Sequence, residues 1–220
     1  MNIVILAAGD FPTRPEPLCA LRDADFVVCC DAACKSLLHT GFKIPDYMVV
    51  GDGDSLTATD KMLLGDKWVQ VDEQDYNDLH KAMTWAISRF GIQDSTFTII
   101  GATGHREDHT LGNISYLATF AEEYPGADIE MLTDYGRLVA MRGERRFASF
   151  PRQQVSVFPM AGGASVSSRG LQWPLDGLRL DRWWQATLNN VVADSFELRS
   201  DSWLIVFRRS EERRVGKECR

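Results

Sequence analysis

The chain has 220 residues, of which 45% are hydrophobic and 25% charged, and a formal net charge of -7. That is enough apolar material for a sizeable core, in one large domain or two small ones. The acidic balance argues against a nucleic-acid binder, which needs a basic face, but a bound cation could still admit a small anionic substrate.

Asn2–Ala8 reads as a buried first strand without the positive flank of a signal peptide. Phe26–Cys30 is a second strand ending at Asp31, and Ala33–His39 a helix stopped by Gly41. Tyr47–Val50 is a third strand and runs into Gly51-Asp52-Gly53-Asp54-Ser55. Trp68–Val71 is a short fourth, followed by Glu73-Gln74-Asp75-Tyr76-Asn77-Asp78. Leu79, Met83, Ile87 and Phe90 share one helical stripe, closed by Gly91. Thr96–Ile100 is a fifth strand, leading into Gly101-Ala102-Thr103-Gly104-His105-Arg106-Glu107-Asp108-His109. Leu111, Ile114, Leu117, Ala118 and Ala121 form a second stripe that stops near Pro125-Gly126, and Ile129–Leu132 is a sixth strand. Strands alternating with helices predict an α/β lobe over residues 1–135, with a mostly parallel, Rossmann-like sheet.

The pattern then changes. Leu138–Met141, Val155–Pro159, Ser165–Ser167, Gln185–Leu188, Ser195–Leu198 and Trp203–Phe207 are short strand-like runs separated by turns at Gly162-Gly163, Asp176-Gly177 and Ser200-Asp201. They predict an all-β, antiparallel sandwich or barrel-like lobe over residues 136–207. Residues 208–220 are rich in arginine and glutamate and read as a disordered or extraneous tail. Cys19, Cys29, Cys30, Cys34 and Cys219 contain no CxxC pair and read as reduced thiols of a cytoplasmic protein. No run approaches the ~18 apolar residues that span a bilayer, so no membrane partner is expected.

Three strand-following segments carry the chemistry. In an open α/β sheet, ligands bind outside the carboxyl ends of the strands. Asp52 and Asp54 flank Gly53, so both carboxylates can face one cation such as Mg²⁺, or they can simply make a solvated turn. Asp75 and Asp78 are spaced i, i+3 and share a face if the helix begins there; equally, Asp75 is the N-cap with Asp78 at N3. Lys81 is placed to pair with Asp78 or to reach a phosphate. Gly101 and Gly104 allow close backbone approach to an anion at the start of a helix. Arg106 can bind phosphate through two N–H groups, or pair with Asp108. His109 reads as a hydrogen-bond partner rather than a general base, and Trp173 as core or as a stacking surface for a flat cationic ring. The glycine spacing fits neither a P-loop nor a Gly-x-Gly-x-x-Gly dinucleotide site.

As an ordered set, Gly51–Ser55, Gln74–Leu79 with Lys81-Ala82, and Gly101–Leu111 resemble the thiamine pyrophosphokinase family. Weaker echoes are Gly9-Asp10, Asp31, Pro45-Asp46 and Gly170–Leu175. The resemblance implies an ATP- and Mg²⁺-binding α/β lobe, a β-sandwich that helps bind thiamine, and a homodimer with the thiamine site at the subunit interface. It implies transfer of pyrophosphate from ATP to the thiamine hydroxyl. Asp52, Asp54 and Asp78 would hold metal, with Asp75 and Arg106 completing the catalytic set. Asp31, Lys81, Gly101, Gly104, Arg106, Asp108, His109 and Asn113 would line ATP. Ser168, Trp173 and Asn189 would meet thiamine. The chain departs from the family at Gly53, Asn77, His105 and Gly112, and at Leu188, where the family has a serine. The alternatives are a haloacid-dehalogenase-like phosphatase with Asp52 as nucleophile, and a non-catalytic nucleotide- or thiamine-binding module.

Overall fold

The computed structural model describes residues 1–41 and 46–211. Pro45, Cys219 and residues 212–220 of the expected tail lie outside the described residues. The described residues divide into two compact units, one built on Met1–Tyr116 with Gly126–Asp134, the other on Leu117–Pro125 with Tyr135–Glu211.

In the first unit the strands are β1 (Asn2–Leu6), β2 (Phe26–Cys30), β3 (Asp46–Gly51), β4 (Trp68–Gln70), β5 (Thr96–Ile100) and β6 (Asp128–Leu132). They lie in the order β6-β5-β1-β2-β3-β4, and each neighbouring pair is parallel. The helices are α1 (Pro15–Arg22), α2 (Ala33–Leu38), α3 (Ala58–Leu64), α4 (Asp78–Phe90) and the first part of α5 (Glu107–Glu123), whose residues from Leu117 belong to the second unit. Because all six strands run the same way, the loops after β1, β2, β3 and β5 leave one edge of the sheet. The core gathers Val4, Leu6, Val27, Cys29, Val49 and Ile100 with Leu21 and Leu37 from the helices. Cys29, Cys30 and Cys34 are free and buried, and burial pushes their thiols up, so they stay neutral; Cys19, expected as a reduced thiol, is disulfide-bonded instead.

Two helices were not foreseen. α1 begins with Pro15 at its first turn, a position that tolerates proline, and Asp134 accepts from the backbone N–H groups of Thr13 and Arg14 just before it. α3 buries none of its side chains; a Thr57–Asp60 capping box starts it, and that bonding holds the Asp60 carboxyl at about 2.

The second unit contains β7 (Gly136–Ala148), β8 (Gln154–Pro159), β9 (Ala164–Arg169), β10 (Leu178–Leu180), β11 (Ala186–Asn190) and β12 (Ser195–Arg209). Their pairings with one another are antiparallel. The expected turn at Ser200-Asp201 is a register shift inside one continuous strand instead. Both halves of β12 pair with β7, while its other edge changes partner from β9 to β8 across the shift. Arg208 and Arg209 belong to this strand, paired with Arg137 and Gly136, so the ordered chain runs past the expected boundary at residue 207. The core is built from the inward residues of these strands, with Phe147 and Phe196 stacked at 4.8 Å between ring centres.

No helix among the described residues is long and apolar enough to cross a membrane. Removing the fully enclosed ring in Phe196→Ala should cost about 3–5 kcal/mol of unfolding free energy, measured by urea denaturation.

Candidate functional site

β2 and β3 lie side by side, so Asp31 at the end of β2 meets the turn that follows β3. Asp31 has a positive φ of 41° and is only 2% exposed. Its N–H donates to Val50 O at 3.0 Å, and its Oδ2 accepts from Ser55 N–H at 3.0 Å. Its Oδ1 is buried and has no partner. Asp31, Asp52 and Asp54 each offer a carboxylate oxygen, and these three atoms lie within 4.8 Å of one another. Burial, reinforced by Asp54 and Asp52, pushes the Asp31 carboxyl above the usual carboxylate range. An acceptor buried without a donor beside two more carboxylates suits a hard divalent cation. Asp31, expected only as a nucleotide contact, is thus brought into the acid cluster by strand order.

Lys81 comes from α4, which packs against β1, β2 and β3. Its side chain is 3% exposed, with Nζ 3.0 Å from Asp52 Oδ2 and 3.5 Å from Asp78 Oδ1. That hydrogen bond is the largest influence holding the Asp52 carboxyl below its ordinary value. Burial pushes Asp78 the other way. Asp78 is therefore tied to the cluster through Lys81.

The expectation that Asp75 caps α4 or shares its first turn with Asp78 is overturned. The helix starts at Asp78, and Asn77 is the cap, its Oδ1 accepting from His80 N–H at 3.1 Å. An asparagine two residues nearer the apolar stripe fulfils that role. Asp75 is exposed in the preceding loop, where its N–H donates to the Glu73 carboxylate.

The glycine loop after β5 is laced to the loop after β1. Gly9 N–H donates to Gly101 O at 2.7 Å, and Asp10 N–H to Thr103 O at 2.8 Å. Gly104 has φ +84°, and a Cβ there would lie 2.0 Å from Asp10 Oδ2, so no side chain fits. His105 Nε2 lies 2.9 Å from Asp10 Oδ1. The Asn113 side chain is fully engaged: Nδ2 donates to Ala102 O at 2.9 Å, and Oδ1 accepts from Asn77 Nδ2 at 3.0 Å. It joins the glycine loop to the start of α4, a link through Asn77 that sequence reading missed. An N-cap asparagine just ahead of the apolar stripe was its only signal. Arg106 is exposed and paired with Asp108 at 2.5 Å, while His109 N–H donates to the same carboxylate.

In the second unit, Trp173 is 53% exposed, but its backbone is fixed. Asn189 accepts from Trp173 N–H at 3.2 Å and donates to Trp173 O at 2.7 Å. Ser168 Oγ accepts from Leu175 N–H at 2.9 Å. Both buried polar residues therefore hold the tryptophan loop. Ser168 also borders a polar cleft of about 180 Å³ with Glu144, Arg169, Asp176, Glu197 and Arg199. Leu188 sits at a positive φ of 59° in the irregular part of β11, with its side chain exposed.

Two family models match consecutive parts of the chain. "Thiamin pyrophosphokinase, catalytic domain" covers residues 19–129, and "Thiamin pyrophosphokinase, substrate-binding domain" covers residues 136–207. Thiamine pyrophosphokinase 1 of rice is 30% identical over 73% of this chain and 64% of its own length. Thiamine pyrophosphokinase 3 of rice is 29% identical over the same shares. The chain thus spans about 64% of the length of these curated relatives. Among solved structures, thiamine pyrophosphokinase from Bacillus subtilis superposes with a TM-score of 0.76 at 22% identity, over 95% of this chain and 99% of that one. The yeast enzyme gives 0.79 at 16% identity, over 99% and 87%. At these identities the likeness is one of fold.

Two outcomes follow from the geometry. Asp31→Asn removes a buried charge whose Oδ1 has no donor, and should stabilise the metal-free protein at neutral pH by roughly 1 kcal/mol. Because the folded carboxyl titrates above its unfolded value, its penalty applies above that folded value and disappears as pH falls through it. Urea unfolding of both proteins from pH 7 downward should show the gap closing. Asn189→Ala should speed amide exchange at Trp173 at least ~10-fold, read by hydrogen-exchange mass spectrometry, as a buried bond of about 1.5 kcal/mol is lost.

Proposed function

The chain belongs to the thiamin pyrophosphokinase family, and on that footing we propose that it moves a pyrophosphoryl group from ATP to the thiamine hydroxyl, giving thiamine diphosphate and AMP. The observation that carries this reading is the partnerless, buried Asp31 oxygen of the Asp31, Asp52 and Asp54 cluster, at the ends of β2 and β3. Those three carboxylates, with Asp78 behind Lys81, are the groups that would hold Mg²⁺. The bound ion would neutralise charge on the transferring phosphates.

The chain's own groups do the rest by position and charge. We read the six parallel strands as a Rossmann-like lobe that presents these loops at one edge. The Gly101–Gly104 backbone lets phosphate oxygens come close. Arg106 leaves Asp108 for the phosphates and stabilises charge as the thiamine hydroxyl attacks the β-phosphorus. Asp75 or Asp78 takes the hydroxyl proton. Asp108 and His109 line the nucleotide, and Asn113 acts by holding the glycine loop against α4. Trp173, fixed by Asn189 and with its loop braced by Ser168, stacks on the thiamine pyrimidine from the partner subunit of a homodimer. The cytoplasm is the compartment proposed, in keeping with the free thiols Cys29, Cys30 and Cys34. The phosphatase alternative is not favoured, because both family matches, in chain order, are to the two parts of a pyrophosphokinase.

The decisive experiment is AMP release from ATP and Mg²⁺, with and without thiamine. Thiamine-dependent AMP matched by thiamine diphosphate supports the reading; ADP or free phosphate instead overturns it. Asp54→Asn should lower turnover at least ~100-fold, the scale of one electrostatic group, and near-normal turnover in the folded variant would remove Asp54 from the metal set.

A further inference from the structure

Asp31, Asp52, Asp54 and Asp78 bring four carboxylates to the edge of β2 and β3, and the Lys81 side chain bonds two of them. The Lys81 ammonium, on a side chain 3% exposed, lies 3.0 Å from Asp52 and 3.5 Å from Asp78. The residue is a fixture of α4, whose neighbouring side chains Leu79, Ala82 and Met83 are buried. It engages Asp52, and Asp52 is one of the two carboxylates clustered with Asp31, whose Oδ1 is buried without a partner. The same carboxylate therefore faces an internal cation and the place where an external one fits.

We propose that Lys81 is the resident counter-cation of this cluster and sets its threshold for divalent ions. A positive charge so close to Asp52 weakens the pull of the cluster on a bare dication. A nucleotide polyphosphate reverses this, because its oxygens attract the ammonium and the dication alike. The site therefore binds the free ion weakly and the ion–nucleotide complex strongly. This role is distinct from that of a phosphate ligand alone, and it rests on reading Asp31, Asp52 and Asp54 as the cation site.

The test is Mn²⁺ binding followed by electron paramagnetic resonance, with the ion alone and with α,β-methylene ATP. Lys81→Met should tighten binding of Mn²⁺ alone at least ~10-fold, on the Coulomb scale of one nearby unit charge. It should also shrink the gain that the nucleotide analogue gives the wild type. Lys81→Arg, which keeps the charge, should stay within ~3-fold of wild type. Unchanged or weaker Mn²⁺ binding by folded Lys81→Met overturns the proposal. Should that variant not fold, the wild type decides: Mg²⁺ alone at saturation should shift the Lys81 ¹³Cε resonance, and an unmoved resonance overturns the proposal. Asp54→Asn separates the two readings. If it binds Mn²⁺ as wild type does, the cation site itself is elsewhere; if it loses Mn²⁺ while Lys81→Met gains nothing, only the counter-cation role falls.

Discussion

A lysine ammonium taken out of water has to be met by carboxylates at the same point, because leaving such a charge unpaired costs about 3–5 kcal/mol. Lys81 imposes that condition on the first unit. Asp52 meets it from the loop after β3, and Asp78 from the first turn of α4. The pairing fixes where the helix begins relative to the sheet edge. From there Asn77 and Asn113 extend the fixation to Ala102 in the glycine loop. Three segments far apart in sequence are thus tied by side-chain bonds at a rim where no apolar core could hold them.

The second unit solves a related problem with backbone rather than charge. Its proposed recognition element, Trp173, is an exposed aromatic ring, and an exposed ring on a loose loop would lose entropy whenever it bound something flat. Asn189 and Ser168 prevent this by holding the loop at Trp173 and Leu175. Buried polar groups are spent on shape, and the side chain that remains free is the one able to stack.

Legibility in the sequence followed the range of the interactions involved. Phe26–Cys30 and Thr96–Ile100 were bounded correctly because each is a buried apolar run with clear stops. α1 was hidden by its prolines, and α3 by the lack of any buried stripe. β12 was split in two because a polar insertion that shifts register reads like a turn. In the site, Asp52, Asp54 and the glycine loop were legible since each is local. The place of Asp31, the engagement of Lys81 and the double grip of Asn113 depend on strand order and helix rotation, which no short motif encodes. Asp75 was misread because two polar residues competed for one cap and the asparagine nearer the helix took it.

The pairing of β12 with β7 also bears on how the protein is made. β7 is the first strand of the second unit and β12 the last, and the long strand pair they form joins residues far apart in the chain. β8 and β9 each add to β12 rather than to β7. As the polypeptide leaves the ribosome, β7, β8 and β9 therefore emerge with a shared partner, β12, still unsynthesised. Nascent β7 carries an unmatched edge until residue 209 is in place, which makes this half the slower to fold during translation and the more dependent on protection from premature association.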